Sequence, residues 1–460
     1  MIDHASGALE IASAVKAGTV SAVEVARAAL FRIGALDAHL GAFTAVTAER
    51  ALDEAAAVDA RVRSGGDPGP LAGVPFAVKN LFDVKGLPTL AGSKINAGHP
   101  PAGADAELVR RLIGAGAVLV GALNMGEYAY DFTGENSHHG PSRNPHDPAR
   151  MSGGSSGGSG TAVAAGFVPL ALGSDTNGSI RVPSSFCGLF GLKPTFGRLT
   201  REGTFPFCFS LDHLGPLGRS AADLAAAYDA MREPGAGTPV SPVLGQGAEG
   251  LRIAVAGDYF ARGGEPEAFE AVATVAEALG ARETVVVPEA ARARAAAYVI
   301  TAAEGGSLHL DRLRTRAADF DPATRDRLMA GAMVPVQWYL QAQRFRRWYH
   351  DRVMELFSRV DILLAPATPC TAPPIGQQTM VLDGVEMLVR PNIGIFTQPL
   401  SLIGLPVVAV PVRRPGGLPI GVQVVAAPGR EDLALRVAAD LEAKGVCKAP
   451  VARGETSWER

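Results

Sequence analysis

Two serines in glycine-rich settings carry the most chemistry in this chain. Ser155 lies in GGSSGGSG (153–160) and Ser179 in GSDTNGSIR (173–181). Glycines in such turns permit positive φ and close backbone approach, serines there expose hydroxyls, and a following helix N-terminus presents free N–H donors. Gly/Ser runs also serve as flexible linkers, and Asn177-Gly178 is a strong type I′ hairpin signal. Yet the first run leads straight into an alanine-rich apolar segment, where a solvated linker does not belong. The second is followed by Ile180-Arg181-Val182-Pro183, which is not an alternating return strand. The pattern points to a serine nucleophile with a second serine as proton relay. The backbone N–H groups of Thr176, Asn177, Gly178 and Ser179 form the candidate oxyanion site, and Asp175 and Arg181 brace the turn as an ion pair.

A serine nucleophile needs a base. None of the nine histidines is marked by its local sequence, His138-His139 reads as a loop pair, and a G-x-S-x-G elbow is absent around Ser179. A Ser-His-Asp arrangement stays open on these grounds. Lysine serves instead when burial lowers its pKa by several units from about 10.4 so that it is neutral. Lys79 closes the apolar run Val74-Pro-Phe-Ala-Val-Lys79 and is the candidate.

These residues need a framework, and the composition supplies one. With 460 residues, 47% of them hydrophobic and 19% charged, the chain can bury a large core. A formal net charge of −3 gives no general pull toward nucleic acid or an anionic membrane. The N-terminus lacks the basic and apolar regions of a secretory signal, and no stretch of about 18 apolar residues predicts a membrane span. Cys187, Cys208, Cys370 and Cys447 show no CxxC spacing, which argues against a disulfide framework and a zinc site and favours the cytoplasm; no metal or cofactor is expected. Residues 1–65 read as a helical layer, with Ser21 and Glu24 as a capping box for a helix to about residue 35. Strands are expected at 74–80, 117–123, 168–172, 252–256, 284–288, 362–366 and 407–412, and helices at 105–116 and 156–165. The long polar and aromatic segment 124–151 reads as a pocket wall. Residues 221–360 read as a mostly helical central insertion, and 361–460 as a return to the core sheet.

Lys79 after its strand, GGSSGGS (153–159), GSDTNGSIRVP (173–183), GLKPT (191–195) and SLDHLGPLGRS (210–220) together resemble the amidase signature family, over a signature core of residues 66–220. The resemblance implies a single α/β domain, 1–460, around a large twisted mixed β-sheet covered by helices on both faces. It implies Lys79 as base, Ser155 as bridging serine in a cis peptide, and Ser179 as acyl-forming nucleophile. Asn177 departs from the pattern, since the family commonly has glycine there. NMGEYAYDFTGENSHHGP (124–141), 303–328 and 391–406 resemble the branch of the family that acts on 1-carboxybiuret. That branch implies release of ammonia from a terminal amide and a small companion subunit in a heterotetramer built on a homodimer of this chain, with no direct nucleic-acid or membrane contact. An anionic substrate calls for a cationic or donor-rich group; Arg312, Arg314 and Arg390 are candidates, with Tyr128 and Tyr130 on the wall. Arg344, Arg346, Arg347 and Arg352, interleaved with Trp348 and Tyr349, read as one solvated helix face or a subunit contact. Other readings are an amidase for another small amide, the amidase subunit of a tRNA-dependent amidotransferase, and an inactive scaffold for a small subunit.

Overall fold

The computed structural model describes residues 2–233, 235, 237–414 and 416–452. Its strands are β1 (Phe43–Val46), β2 (Pro75–Lys79), β3 (Val118–Leu123), β4 (Arg143–Asn144), β5 (Asp147–Met151), β6 (Leu170–Asp175), β7 (Phe190–Lys193), β8 (His213–Gly218), β9 (Ile253–Ala256), β10 (Glu283–Val285), β11 (Ile362–Pro366), β12 (Thr379–Leu382), β13 (Val385–Leu388), β14 (Val407–Val412) and β15 (Ile420–Ala426). Eleven of them form one sheet in the order β1-β3-β2-β6-β8-β7-β14-β15-β11-β9-β10, while β4-β5 and β12-β13 are separate hairpins. Parallel pairing joins β3, β2 and β6 at one end and β11, β9 and β10 at the other. The strands between them pair antiparallel. The sheet is therefore mixed, as the family resemblance implied, rather than the parallel array that strand-helix alternation alone suggests.

Every residue of β2, β3, β6, β14 and β15 is buried. A strand is covered on alternate faces by alternate residues, so helices must close both faces of the sheet. Sequence and structure agree closely on β2, β3 and β14 because runs such as VLVGAL and VVAVPV have no polar face to leave in water, whereas β6 runs on to Asp175, past the expected 168–172, and β15 was not expected from the sequence. The Ala22–Leu40 helix begins at the expected capping box, with Ser21 Oγ accepting from the Glu24 N–H at 3.1 Å and Glu24 accepting from the Ser21 N–H at 2.9 Å. It runs on to Leu40, where Gly41 closes it in the left-handed region.

Two expected layers also contribute to the sheet. Residues 1–65 are helical but add β1 at one edge, and 221–360 are helical but add β9 and β10 at the other. The arginine-rich helix Val336–Phe357 differs from a solvated face: Tyr349 is fully buried, and Arg346 donates to the Ser210 carbonyl at 2.9 Å and lies over the Phe196 ring. Arg344, Arg347 and Arg352 are exposed.

The helices Ala290–Leu308 and Pro322–Ala332 cross at a close backbone contact. A Cβ on Gly331 would sit 2.0 Å from the Ala302 carbonyl oxygen, so only glycine lets the two axes approach this far. Gly331→Ala is expected to destabilise the fold by about 1–3 kcal/mol through overpacking, read as a lower urea midpoint at unchanged slope.

Candidate active site

Lys79 ends β2, which lies between β3 and β6 inside the sheet. Its side chain is completely buried, with Nζ 2.7 Å from Ser155 Oγ and 2.9 Å from Ser174 Oγ. Burial lowers its pKa to about 7 against the opposing pull of the Asp175, Asp212 and Asp131 charges. Near neutral pH a substantial fraction is the free amine. Its lone pair can then accept the Ser155 hydroxyl proton while its own N–H donates to Ser174.

The Gly/Ser run is the reverse of a linker, since residues 151–165 are all buried. The Gly154-Ser155 peptide is cis. Facing it, the segment after β3 clamps the turn: Gly126 N–H donates to the Ser155 carbonyl at 3.1 Å, and Gly154 N–H to the Phe132 carbonyl at 2.8 Å. The helix Gly157–Ala164 then returns the chain to β6.

At the end of β6, Asp175 accepts from the Ile180 N–H at 3.2 Å and from Arg181 Nε and Nη2, both at 2.9 Å. Burial alone would raise the Asp175 pKa, but Arg181 more than offsets it and holds the carboxyl well below the usual range. The chain between is thrown into a tight turn, and residues 181–186 continue as a helix, not a hairpin strand. Among the described residues, the N–H groups of Thr176, Asn177, Gly178 and Ser179 donate to no protein acceptor. Gly178 has φ +144°, and a Cβ there would lie 2.3 Å from Thr397 Oγ1, so no side chain fits. Thr397 Oγ1 in turn donates to the Asn177 carbonyl at 2.5 Å. The turn thus offers its N–H groups while its carbonyl side is tied down, the arrangement that a developing oxyanion requires.

Thr176, Asn177 and Ser179 line a narrow inner cavity of about 20 Å³ with Tyr130, Asp131, Phe207, Tyr298, Thr301, Arg327 and Gln398. Tyr130, Tyr298 and Arg327 also line a wider outer chamber of about 520 Å³. Of the expected substrate contacts, Tyr130 is on the wall. Tyr128 is not: its hydroxyl donates to Asn96 at 3.1 Å, and its ring packs on Phe205, His309 and Phe320. Arg312 lies over the Phe205 ring, off both cavities, and Arg314 is exposed beside Asp311. Arg390 reaches the outer chamber, but Asp131 and Glu135 both pair with it and neutralise its charge. Ser174, Thr301 and Arg327 received no role from the sequence. Ser174 sits inside the quoted motif and Arg327 inside the 303–328 segment that resembles the 1-carboxybiuret branch, whereas Thr301 carries no local signal, because only helix crossing brings it to the cavity.

Among the described residues no group of three or more His, Cys, Asp or Glu could hold a metal ion, and no helix is long and apolar enough to cross a membrane. The Amidase family matches residues 24–435, and the chain belongs to that family: it is an amide-cleaving hydrolase with the single α/β domain of the amidase signature enzymes. Two relatives in particular sharpen the comparison. The 1-carboxybiuret hydrolase subunit AtzE of Pseudomonas sp. (strain ADP) is 55% identical over 452 residues, covering 96% of this chain and 99% of that protein. A glutamyl-tRNA(Gln) amidotransferase subunit from Chloroflexus aurantiacus is 38% identical over 461 residues, covering 92% and 93%. A solved vestigial protein complex, one that reveals the evolutionary origins of an s-triazine catabolic enzyme, superposes with TM-score 0.95 at 55% identity, covering 96% of this chain and 100% of that one. A bacterial aryl acylamidase gives 0.87 at 26% identity, covering 96% of each.

If Lys79 acts as a base, it works in its neutral form, so activity rises with pH as the ammonium loses its proton. The log of kcat/KM is expected to climb through about pH 7 and then level. A profile that rises only near the ordinary lysine pKa of about 10.4 would rule out a desolvated base.

Proposed function

We propose that this chain hydrolyses the terminal amide of 1-carboxybiuret, releasing ammonia and leaving urea-1,3-dicarboxylate. The substrate assignment rests on the 55% identity to AtzE across nearly the whole of both chains. The mechanism rests on the 2.7 Å hydrogen bond between Lys79 and Ser155. Ser179 Oγ attacks the terminal carbonyl as its proton passes to Ser155 and the Ser155 proton passes to Lys79. The N–H groups of 176–179 hold the oxyanion, a contribution worth about 3 kcal/mol per donor in comparable sites. The relay returns the proton to the leaving nitrogen, ammonia departs, and water hydrolyses the acyl-enzyme by the same relay in reverse.

Charge and shape favour this substrate. The inner cavity has room for one slim end group, a primary amide, and the rest of the molecule extends into the outer chamber. Arg327 stands where the two spaces meet. It donates to the Tyr130 carbonyl at 2.7 Å and lies over the Tyr130 ring at 3.6 Å, with no carboxylate paired to it among the described residues. It is the residue we assign to the substrate carboxylate, in place of Arg390. Four free, buried cysteines fit a reducing cytoplasm. The solved complex of a relative supports a companion subunit, and we place this chain as the homodimeric centre of such a heterotetramer.

Ammonia release from 1-carboxybiuret, biuret, glutamine and simple aliphatic amides tests the assignment. 1-carboxybiuret is expected to give the highest kcat/KM, and a preference for glutamine would favour the amidotransferase reading. Ser179→Ala and Lys79→Ala are each expected to lower turnover by at least about 10³-fold with the melting temperature retained; turnover within tenfold of wild type in either would sink the relay. Arg327→Met is expected to raise KM for 1-carboxybiuret by about 10- to 100-fold, as for loss of a charged hydrogen bond, with a much smaller effect on biuret, which has no carboxylate.

A further inference from the structure

Asn177 is pinned at both its backbone and its side chain. Its carbonyl accepts from Thr397 Oγ1 at 2.5 Å, and its Nδ2 donates to Thr301 Oγ1 at 2.8 Å. Only 7% of the residue is exposed, and it lines the inner cavity beside Ser179. With Nδ2 engaged, Oδ1 is left buried and without a hydrogen-bond partner. Buried carbonyl oxygens almost always have a partner, and one that lacks it on a residue lining a cavity is an acceptor available to a ligand.

Its position limits which ligand group it meets. Asn177 stands two residues before Ser179, on the turn whose N–H groups face the carbonyl oxygen, so its side chain reaches the substituents of the carbonyl under attack rather than the far end of the substrate. One substituent is the leaving NH₂, which every primary amide has. The other is the acyl-side atom, an N–H in a biuret or acyl-urea and a CH₂ in a carbon-chain amide.

We infer that Asn177 Oδ1 accepts the acyl-side N–H of the substrate and thereby selects acyl-ureas over carbon-chain amides. The inference deepens the proposed function and rests on its reading of the cavity as the place where the amide is cleaved. Thr301 acts through Asn177 as a positioning residue, holding Nδ2 and so leaving Oδ1 as the amide atom without a protein partner.

Biuret and malonamide share one skeleton and differ by N–H against CH₂ at this atom, which makes them the test pair. Their kcat/KM values, or their Ki values as competitors, are measured on the full-length enzyme, on Asn177→Gly and on Thr301→Val. Wild type is expected to favour biuret. In Asn177→Gly, biuret is expected to lose at least about tenfold more than malonamide, the scale of a missing buried hydrogen bond, and Thr301→Val is expected to move the ratio the same way by less. Equal losses on the two compounds in both variants would overturn the inference, whatever their size, because a merely structural role affects both alike. Failure of the wild-type enzyme to cleave 1-carboxybiuret would sink the proposed substrate but leave the biuret-to-malonamide ratio to decide the role of Asn177.

Discussion

Arg181 is completely buried, and each of its five guanidinium N–H groups can be assigned an acceptor: two reach Asp175, and the others reach Gln423 Oε1 at 2.6 Å, Ser401 Oγ at 2.5 Å and the Thr397 carbonyl at 3.2 Å. A buried charge of this kind is tolerable only when the whole set is present, since removal of one partner of a buried pair costs about 3–5 kcal/mol. The set joins β6, the turn after it, β15 and the 397–401 segment at one point. The turn carrying Ser179 is therefore held by residues more than 200 positions away in sequence. Its fixed shape leaves the N–H groups of 176–179 free to act, because Asp175 already collects those of Ile180 and Arg181.

Desolvation of lysine is a second constraint, and two lysines meet it with different partners. Lys193 is buried as completely as Lys79, and burial also lowers its pKa to about 7. Its amine, however, donates to the carbonyls of Leu405 and Pro194, which have no proton to exchange. Lys79 instead faces two hydroxyls, Ser155 and Ser174. The two amines differ in partner, not in pKa, and only the one that faces hydroxyls has a partner with a proton to exchange.

Substrate choice follows from how the cavity is assembled. The turn carrying Ser179 supplies one wall, the 126–134 segment a second, and the crossing helices 290–308 and 322–332 a third, with Tyr298, Thr301 and Arg327 as their contributions. On the proposed mechanism, the chemistry is anchored in the sheet and recognition is added by helices packed over it. Such a division lets relatives of one fold cleave different amides with the same relay.

Lys79, Ser155 and Ser179, the residues proposed to react, stand out in the sequence because local rules constrain them. Glycines that must turn, serines between them and a lysine closing an apolar strand are marked by their neighbours, and runs such as VVAVPV read as buried strands on apolarity alone. The short edge strand β1 and the antiparallel centre of the sheet left no such mark, since pairing depends on partners far along the chain. Arg312 and Arg390 carried the right charge in the sequence, but charge there says nothing of the carboxylates that fold against it. Arg327 and Thr301 sit in ordinary helical sequence and reach the cavity only because Gly331 lets two helices meet. The candidate groups and the turns that hold them are written in the chain, because those demands are local. Which cation lacks a carboxylate, which buried oxygen stays unsatisfied and which amine faces a hydroxyl emerge only on folding, because each depends on residues far apart in the chain.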